Sequence, residues 1–174
     1  MIDGLVEQDN YGNIIPALAE SWEHNEDYTV WTFHLREGVQ WLTSSREVYG
    51  EVTADDFVYV AEFVLDPAET SNNIQSYTTM IEGAQEYDDA MSEWRDNGSV
   101  GDKPSFEGVG VKALDEHTVQ YTMSKSVPYF TSVALYGLII RRIVLLWNLC
   151  LLRMMEQAAL ETIKTISYIV EPSF

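Results

Sequence analysis

Cysteine and basic residues are both scarce in this chain. Its 174 residues include one cysteine, Cys150, which excludes an intramolecular disulfide and any metal site built from cysteines. Lysine and arginine together number 10 against 28 aspartates and glutamates, so the formal net charge is −18 and the isoelectric point is near 4.2. Because such a charge repels phosphate groups, we expect no nucleic-acid partner.

Catalytic and metal-binding motifs are missing as well. The sequence has no nucleophile elbow, no glycine-rich phosphate loop and no Cys/His dyad. Its histidines, His24, His34 and His117, are never four residues apart, so they do not predict a metal site. The adjacent acids Asp55 and Asp56 favour a solvated helix face over general acid/base chemistry. We predict a protein that is not an enzyme and uses no metal or cofactor, with an acid/base hydrolase as the weaker alternative.

No secretion signal is present in the first residues. Met1 is followed directly by Ile2, Asp3 and Gly4, without a basic start, an apolar core or a cleavage site. Either the protein stays in the cytoplasm or this chain begins part-way into a longer one. We favour the second explanation, because the sequence resembles mature folded protein from its first residues.

Residues 1–137 carry the mixed patterns of an α+β fold. Residues 28–35 alternate between two faces, with Trp31 and Phe33 on one of them, which predicts a strand. Residues 109–113 and 119–123 predict the two strands of a hairpin.

Helix signals lie between these strands. Thr53 stands three residues before Asp56, which is the spacing of a capping box. One apolar helix face follows, and Pro67 ends it. That face consists of Phe57, Val60, Ala61 and Val64. Residues 77–91 predict a second helix, and residues 92–105, rich in glycine and charge, predict an exposed loop.

A change of composition divides the chain near Gly137. The residues up to that point carry 25 acids and six basic residues, whereas those after it carry three acids and four basic residues. Residues 138–152 are mostly apolar but are interrupted by Arg141, Arg142 and Asn148, so they are too short and too charged for a membrane span. They fit either a buried helix or a sequence that was not selected to stand there.

Seven aromatic residues are candidates for a ligand cleft or for the core. Core packing is the default interpretation for those that lie on apolar faces. They are Trp22, Trp31, Trp41, Tyr49, Tyr59, Tyr77 and Tyr87.

Several sequence blocks in order resemble the peptide-binding proteins of ABC importers, the oligopeptide and dipeptide solute-binding family 5. The blocks are GLV (4–6), IPALAESWE (15–23), WTFHLREGV (31–39), VTADDFV (52–58), GVGVKALD (108–115), HT (117–118) and VPYF (127–130). The segments FVY (57–59) and SY (76–77) are most similar to the extracellular oligopeptide receptors. The resemblance covers residues 1–136.

That resemblance implies a fold, a location and partners. The fold would be part of lobe I of a two-lobed, type II periplasmic-binding-protein-like structure, an α+β unit with a mixed sheet and flanking helices. The whole protein would be an extracytoplasmic lipoprotein of the cell envelope, on the outer face of the cytoplasmic membrane or in the periplasm. It would close around peptides and deliver them to permease subunits of an ABC transporter for import.

One ligand residue can be carried over from the resemblance. Tyr77 matches a cleft tyrosine of the oligopeptide receptors, and a tyrosine that only packs is the alternative. The loop over residues 42–51 is longer than the family's usual Asp-Gly turn after the Trp41 strand.

The resemblance stops at Gly137. Read in a shifted frame with freely chosen synonymous codons, residues 155–165 and 169–174 give short segments that the family has in this place and order. We therefore expect residues 1–137 to be a partial lobe I and residues 138–174 to be a frameshifted tail that is not a domain. The alternative is an intact small protein, not an enzyme, whose apolar tail docks on a partner or a membrane.

Overall fold

The structure is a computed structural model that describes residues 4–42, 46–67 and 74–135. These residues form eight strands and four α-helices. The strands are β1 (Val6–Gln8), β2 (Ile14–Pro16), β3 (Ala19–His24), β4 (Val30–Leu35), β5 (Gln40–Leu42), β6 (Val48–Glu51), β7 (Val111–Asp115) and β8 (Thr118–Thr122). The helices are α1 (Ala54–Val64), α2 (Ile74–Met80), α3 (Ala84–Asp96) and α4 (Phe130–Leu135). The predictions for residues 138–174 lie outside the described residues.

A four-stranded sheet in the order β3-β4-β8-β7 carries the core. The predicted strand at residues 28–35 is confirmed as β4, in which Trp31 and Phe33 are buried. The predicted hairpin is confirmed as β7 and β8. Each strand pairing in the described part of the chain is antiparallel.

Helix α1 confirms the capping signal. The backbone N–H of Thr53 donates to Asp56 Oδ2 at 3.0 Å, which satisfies one of the amide groups that the first turn leaves unpaired. The apolar face predicted for this helix is buried, because it packs against the sheet. None of the helices in the described ranges has the length and hydrophobicity that crossing a bilayer requires.

The helix predicted over residues 77–91 is wrong in its extent, since two helices occupy this region. Helix α2 ends at Met80, and Ile81 instead forms an isolated antiparallel bridge with Met123, the residue that follows β8. Gly83 then adopts a left-handed conformation with φ of 68° before α3 begins. Helix α3 also continues to Asp96, so the exposed loop predicted from residue 92 starts later than expected.

Two small hairpins flank the sheet. In the turn between β1 and β2, Asp9 Oδ1 accepts from the backbone N–H groups of Tyr11 and Asn13, at 2.8 Å each. Strand β6 lies inside the segment for which the sequence predicts a long loop, residues 42–51, and it pairs with β5. The departure from the family pattern is therefore a hairpin.

Candidate functional site

Tyr77, the predicted ligand residue, lies on α2 and lines a small apolar cavity. Only 4% of its surface is exposed. The cavity encloses about 10 Å³, which is room for one water-sized group. Three elements form its wall: α2 with the residue that follows it, β8 and α4. The lining residues are Ser76, Tyr77, Met80, Ile81, Tyr121, Phe130 and Val133.

An aromatic cluster supports the cavity from the sheet. The ring centroids of Tyr121 and Phe130 are 5.3 Å apart. Phe33 of β4 meets Tyr121 edge-on at 5.9 Å and lies 6.0 Å from Phe130. Offset and edge-on rings of this kind pack favourably, so the wall formed by β8 and α4 is held in place by the core.

Burial determines the protonation of the two cavity tyrosines. It raises the pKa of Tyr77 above the ordinary value, because an apolar environment disfavours the phenolate. The pKa of Tyr121 is raised well above the ordinary value by burial first and then by the neighbouring Tyr77. Both side chains are therefore neutral at physiological pH, and each carries a hydroxyl that can donate or accept a hydrogen bond.

The Tyr121 hydroxyl is buried without a hydrogen-bond partner among the described residues. A buried hydroxyl in this condition costs free energy compared with one in water. The cavity therefore offers an apolar surface, and Tyr121, one of its lining residues, carries a buried hydroxyl with unused hydrogen-bonding capacity.

The other aromatic candidates do not gather around Tyr77. Trp31 is buried in the core and its ring lies 5.9 Å from that of Phe130. The indole of Trp41 hydrogen-bonds to Asp56 at 2.8 Å. Tyr49 is partly exposed on β6. Trp31, Trp41 and Tyr49 thus lie in separate places, and Trp31 is connected with the cavity wall through the ring of Phe130.

The histidines and Asp56 have local partners. His24 stacks on Tyr28 with ring centroids 4.4 Å apart, and His117 Nε2 lies 3.3 Å from Glu51 Oε1. Asp56 accepts from both Thr53 and Trp41. In the part of the chain that the structure describes, no three metal-binding side chains come together.

Tyr77 is the one residue of the cavity wall that the sequence singled out as a ligand residue, and Met80, Tyr121 and Phe130 are among those that sequence reasoning missed. Tyr121 stands on the same alternating face of β8 as Val119, and Phe130 belongs to the VPYF block. These signals mark both residues as inward-facing. The cavity itself depends on which helix covers the strand, which local patterns do not encode.

Residues 13–146 match the family described as Bacterial extracellular solute-binding proteins, family 5 Middle. The oligopeptide-binding protein SarA of Streptococcus gordonii is 39% identical over 140 residues, which are 80% of this chain and 19% of SarA. The periplasmic oligopeptide-binding protein OppA of Salmonella typhimurium is 38% identical over 132 residues, which are 75% of this chain and 21% of OppA. The chain thus spans about a fifth of the length of these curated relatives.

Solved structures give the same relationship. The oligopeptide-binding protein OppAIV of Borrelia burgdorferi superimposes with a TM-score of 0.66 at 28% identity, over 80% of this chain and 25% of that one. OppA of Haemophilus influenzae in complex with RPPGFSPFR gives a TM-score of 0.63 at 32% identity, over 80% of this chain and 24% of that one. The described residues therefore have the fold of one part of a larger binding protein.

Proposed function

Since the chain belongs to the family 5 bacterial extracellular solute-binding proteins, we propose that it is part of the peptide-binding component of an ABC importer. The observation that carries this proposal is the similarity to OppA of Haemophilus influenzae, whose solved structure is a complex with a nine-residue peptide. Relatives named for oligopeptide binding at 34–39% identity support the same ligand class. The proposed role is ligand capture without chemistry.

The proposed mechanism is closure of two lobes around an extended peptide outside the cytoplasmic membrane. Main-chain groups would hold the peptide backbone, and roomy hydrated pockets would accept varied side chains. The closed protein would then deliver its peptide to the permease subunits. Residues 4–135 would contribute one part of lobe I, so this chain alone would lack most of the contacts with the peptide.

Tyr77 is the residue that we propose to serve the ligand. Its support is the match to a cleft tyrosine and its position on the wall of an apolar cavity. Because its pKa is raised by burial, Tyr77 would contact the ligand as a neutral phenol. Packing of α2 onto β8 is the alternative role for the same side chain.

A chimaera tests the proposed function. The corresponding segment of the SarA protein would be replaced by residues 4–135 of this chain, and peptide affinity would be measured by isothermal titration calorimetry. We expect the chimaera to bind peptides with a Kd within about tenfold of the parent's, because the segment keeps the family's fold. A folded, monomeric chimaera that binds no peptide would contradict the proposal.

Two measurements complete this test. The chain on its own should show no micromolar affinity for a mixture of di- to octapeptides, since it lacks the second lobe. In the chimaera, Tyr77→Phe should weaken binding several-fold at unchanged thermal stability if the hydroxyl contacts the ligand. Unchanged affinity in Tyr77→Phe together with a large loss of stability in Tyr77→Ala would assign Tyr77 to packing.

For residues 138–174 we propose a frameshifted origin, with residues 1–137 as the partial lobe I. The support is the reversal of charge and the two family-like segments in a shifted frame. Sequencing the DNA across codons 136–142 tests this directly. An extra or missing base that restores a long open frame is expected, and a confirmed frame would overturn the proposal.

A further inference from the structure

We propose that Asn97 is a site of spontaneous deamidation and that the hydrogen-bonded end of α3 controls its rate. Asparagine is one of the thermolabile residues, and the reaction is fastest when glycine follows, because glycine has no side chain to hinder the approach of its own nitrogen. Asn97 is followed by Gly98, and both residues are exposed at the surface. The peptide function proposed above has no part in this inference.

The reaction needs only water. The backbone nitrogen of Gly98 attacks Cγ of Asn97, a nitrogen–carbon bond forms, and the side-chain carbon–nitrogen bond breaks. Ammonia leaves with the proton that the Gly98 nitrogen gives up. Water then opens the cyclic imide at one of its two carbonyls, so the product is aspartate or isoaspartate. One water is consumed and one ammonia is released, without oxidation or reduction.

The folded geometry opposes this attack. Gly98 has a φ of 74°, its N–H donates to the Arg95 carbonyl at 2.9 Å, and the N–H of Ser99 donates to the Trp94 carbonyl at 2.9 Å. Together these bonds form a Schellman motif at the end of α3. Asn97 holds φ of −79° and ψ of 12°, and closing the imide ring requires rotation away from this ψ. The nitrogen becomes available only when the last turn opens.

Two side chains anchor that turn. Arg95 Nη2 lies 2.6 and 2.7 Å from the two carboxylate oxygens of Asp66, the second residue after α1. The indole of Trp94 donates to the Gly101 carbonyl at 3.3 Å. The carbonyl of Arg95 also accepts the hydrogen bond from the Gly98 N–H. Loss of the ion pair between Arg95 and Asp66 therefore frees the turn that protects Asn97. The negative charge added by deamidation would further weaken this helix end, where the helix dipole disfavours anions.

The experiment follows the mass of the peptide containing Asn97 after incubation of the full chain at mildly alkaline pH. We expect a gain of about one dalton at Asn97 in guanidinium-unfolded protein, at a rate at least about tenfold above the native one. Arg95→Met should raise the native rate about threefold, because it removes a partly exposed ion pair. Gln85→Met is the matched control, since it removes the bond to Asp89 at the other end of α3.

The outcomes separate the two parts of the proposal. No gain at Asn97 in unfolded protein, or an equal gain in an Asn97→Gln variant, overturns the site. Equal rates in folded and unfolded protein, or an Arg95→Met rate no higher than that of Gln85→Met, overturns the control by the helix end. Circular dichroism confirms that Arg95→Met is folded, and Asp66→Asn provides a second variant of the same ion pair.

Discussion

The indole N–H of Trp41 donates a 2.8 Å hydrogen bond to Asp56 Oδ2 and thereby joins β5 to the first turn of α1. The same carboxylate oxygen accepts from the backbone N–H of Thr53 at 3.0 Å. One acid therefore caps a helix and fixes a hairpin. The neighbouring acid, Asp55, is exposed on the helix surface.

This arrangement predicts that the two adjacent acids contribute very differently to the free energy of unfolding. Asp56→Ala should lower the free energy of unfolding by about 1–2 kcal/mol, because it removes a cap and leaves the Trp41 indole without its acceptor. Asp55→Ala, the matched control, should change it by less than about 0.5 kcal/mol. Urea denaturation followed by circular dichroism measures both. Equal effects of the two substitutions would show that the hydrogen bonds to Asp56 do not stabilise the fold.

The break between α2 and α3 leads to a second prediction. A Cβ atom on Gly83 would overlap the carbonyl oxygen of Gly108, so neighbouring backbone has to move to accommodate it. Gly83→Ala should therefore cost more than about 3 kcal/mol, from this clash and from the left-handed backbone together.

Gly38 is the matched control for the clash. It has a similar φ of 72°, but a Cβ there would meet nothing within 4 Å. Gly38→Ala should cost only the conformational penalty, about 1–2 kcal/mol. Thermal unfolding of both variants separates the two contributions. If both substitutions cost the same, then the chain relaxes around Gly83 and the close approach to Gly108 does not determine where α2 ends.

Helix α1 and the break at Gly83 show how much of the fold the sequence can predict. Helix α1 was predictable because its signals are local: the Thr53–Asp56 spacing and an apolar face within eleven residues. Strand β4 was predictable for the same reason, from alternation within one segment. The family resemblance added the fold of the larger protein, which local patterns do not contain.

The break at Gly83 was not predictable, because its cause is distant in the sequence. Residues 77–91 have helix-forming composition, yet the close approach of Gly83 to Gly108 and the bridge from Ile81 to Met123 divide them. The cavity beside Tyr77 depends on similar long-range contacts. It exists only once α2 and α4 cover Tyr121, and no single segment specifies that packing.

Glu51 makes stability depend on pH. Its carboxylate accepts from the backbone N–H of Gly38 at 2.6 Å and lies near His117, and these contacts lower its pKa below the usual value. A carboxyl whose pKa is lower in the folded state stabilises the fold above its unfolded pKa, and this contribution is lost as the pH falls through the folded pKa. We therefore expect the melting temperature to fall below about pH 4.5, in part through Glu51.

Glu51→Gln tests this assignment. The variant should melt below the native protein at pH 7 and should show a smaller further decrease on acidification. Glu20→Gln, which changes an exposed carboxylate on β3, should keep the native pH profile. The comparison uses melting temperatures measured between pH 3 and 7 in steps of about 0.5 pH unit. A Glu51→Gln profile parallel to that of the native protein would refute the role of Glu51.

Tyr121 allows stability to be separated from ligand binding. Its hydroxyl is buried without a partner among the described residues, so Tyr121→Phe removes a group that costs free energy in the fold. We expect the free energy of unfolding to be unchanged or to rise by about 1 kcal/mol, because the phenyl ring keeps its contacts with Phe33 and Phe130. Tyr129→Phe, at a position that is 55% exposed, should change it by less than about 0.5 kcal/mol.

Placed in the SarA chimaera, Tyr121→Phe also tests whether the cavity is part of the peptide site. A buried hydroxyl without a partner gains most from a ligand that supplies its hydrogen bond, so Tyr121→Phe should weaken peptide binding several-fold while stability is kept if the ligand reaches this hydroxyl. Calorimetric titration of the folded variant measures this effect. Unchanged affinity would mean that the cavity belongs to the core and not to the peptide site. A loss of stability greater than about 1 kcal/mol would mean that the hydroxyl has a partner in the folded protein.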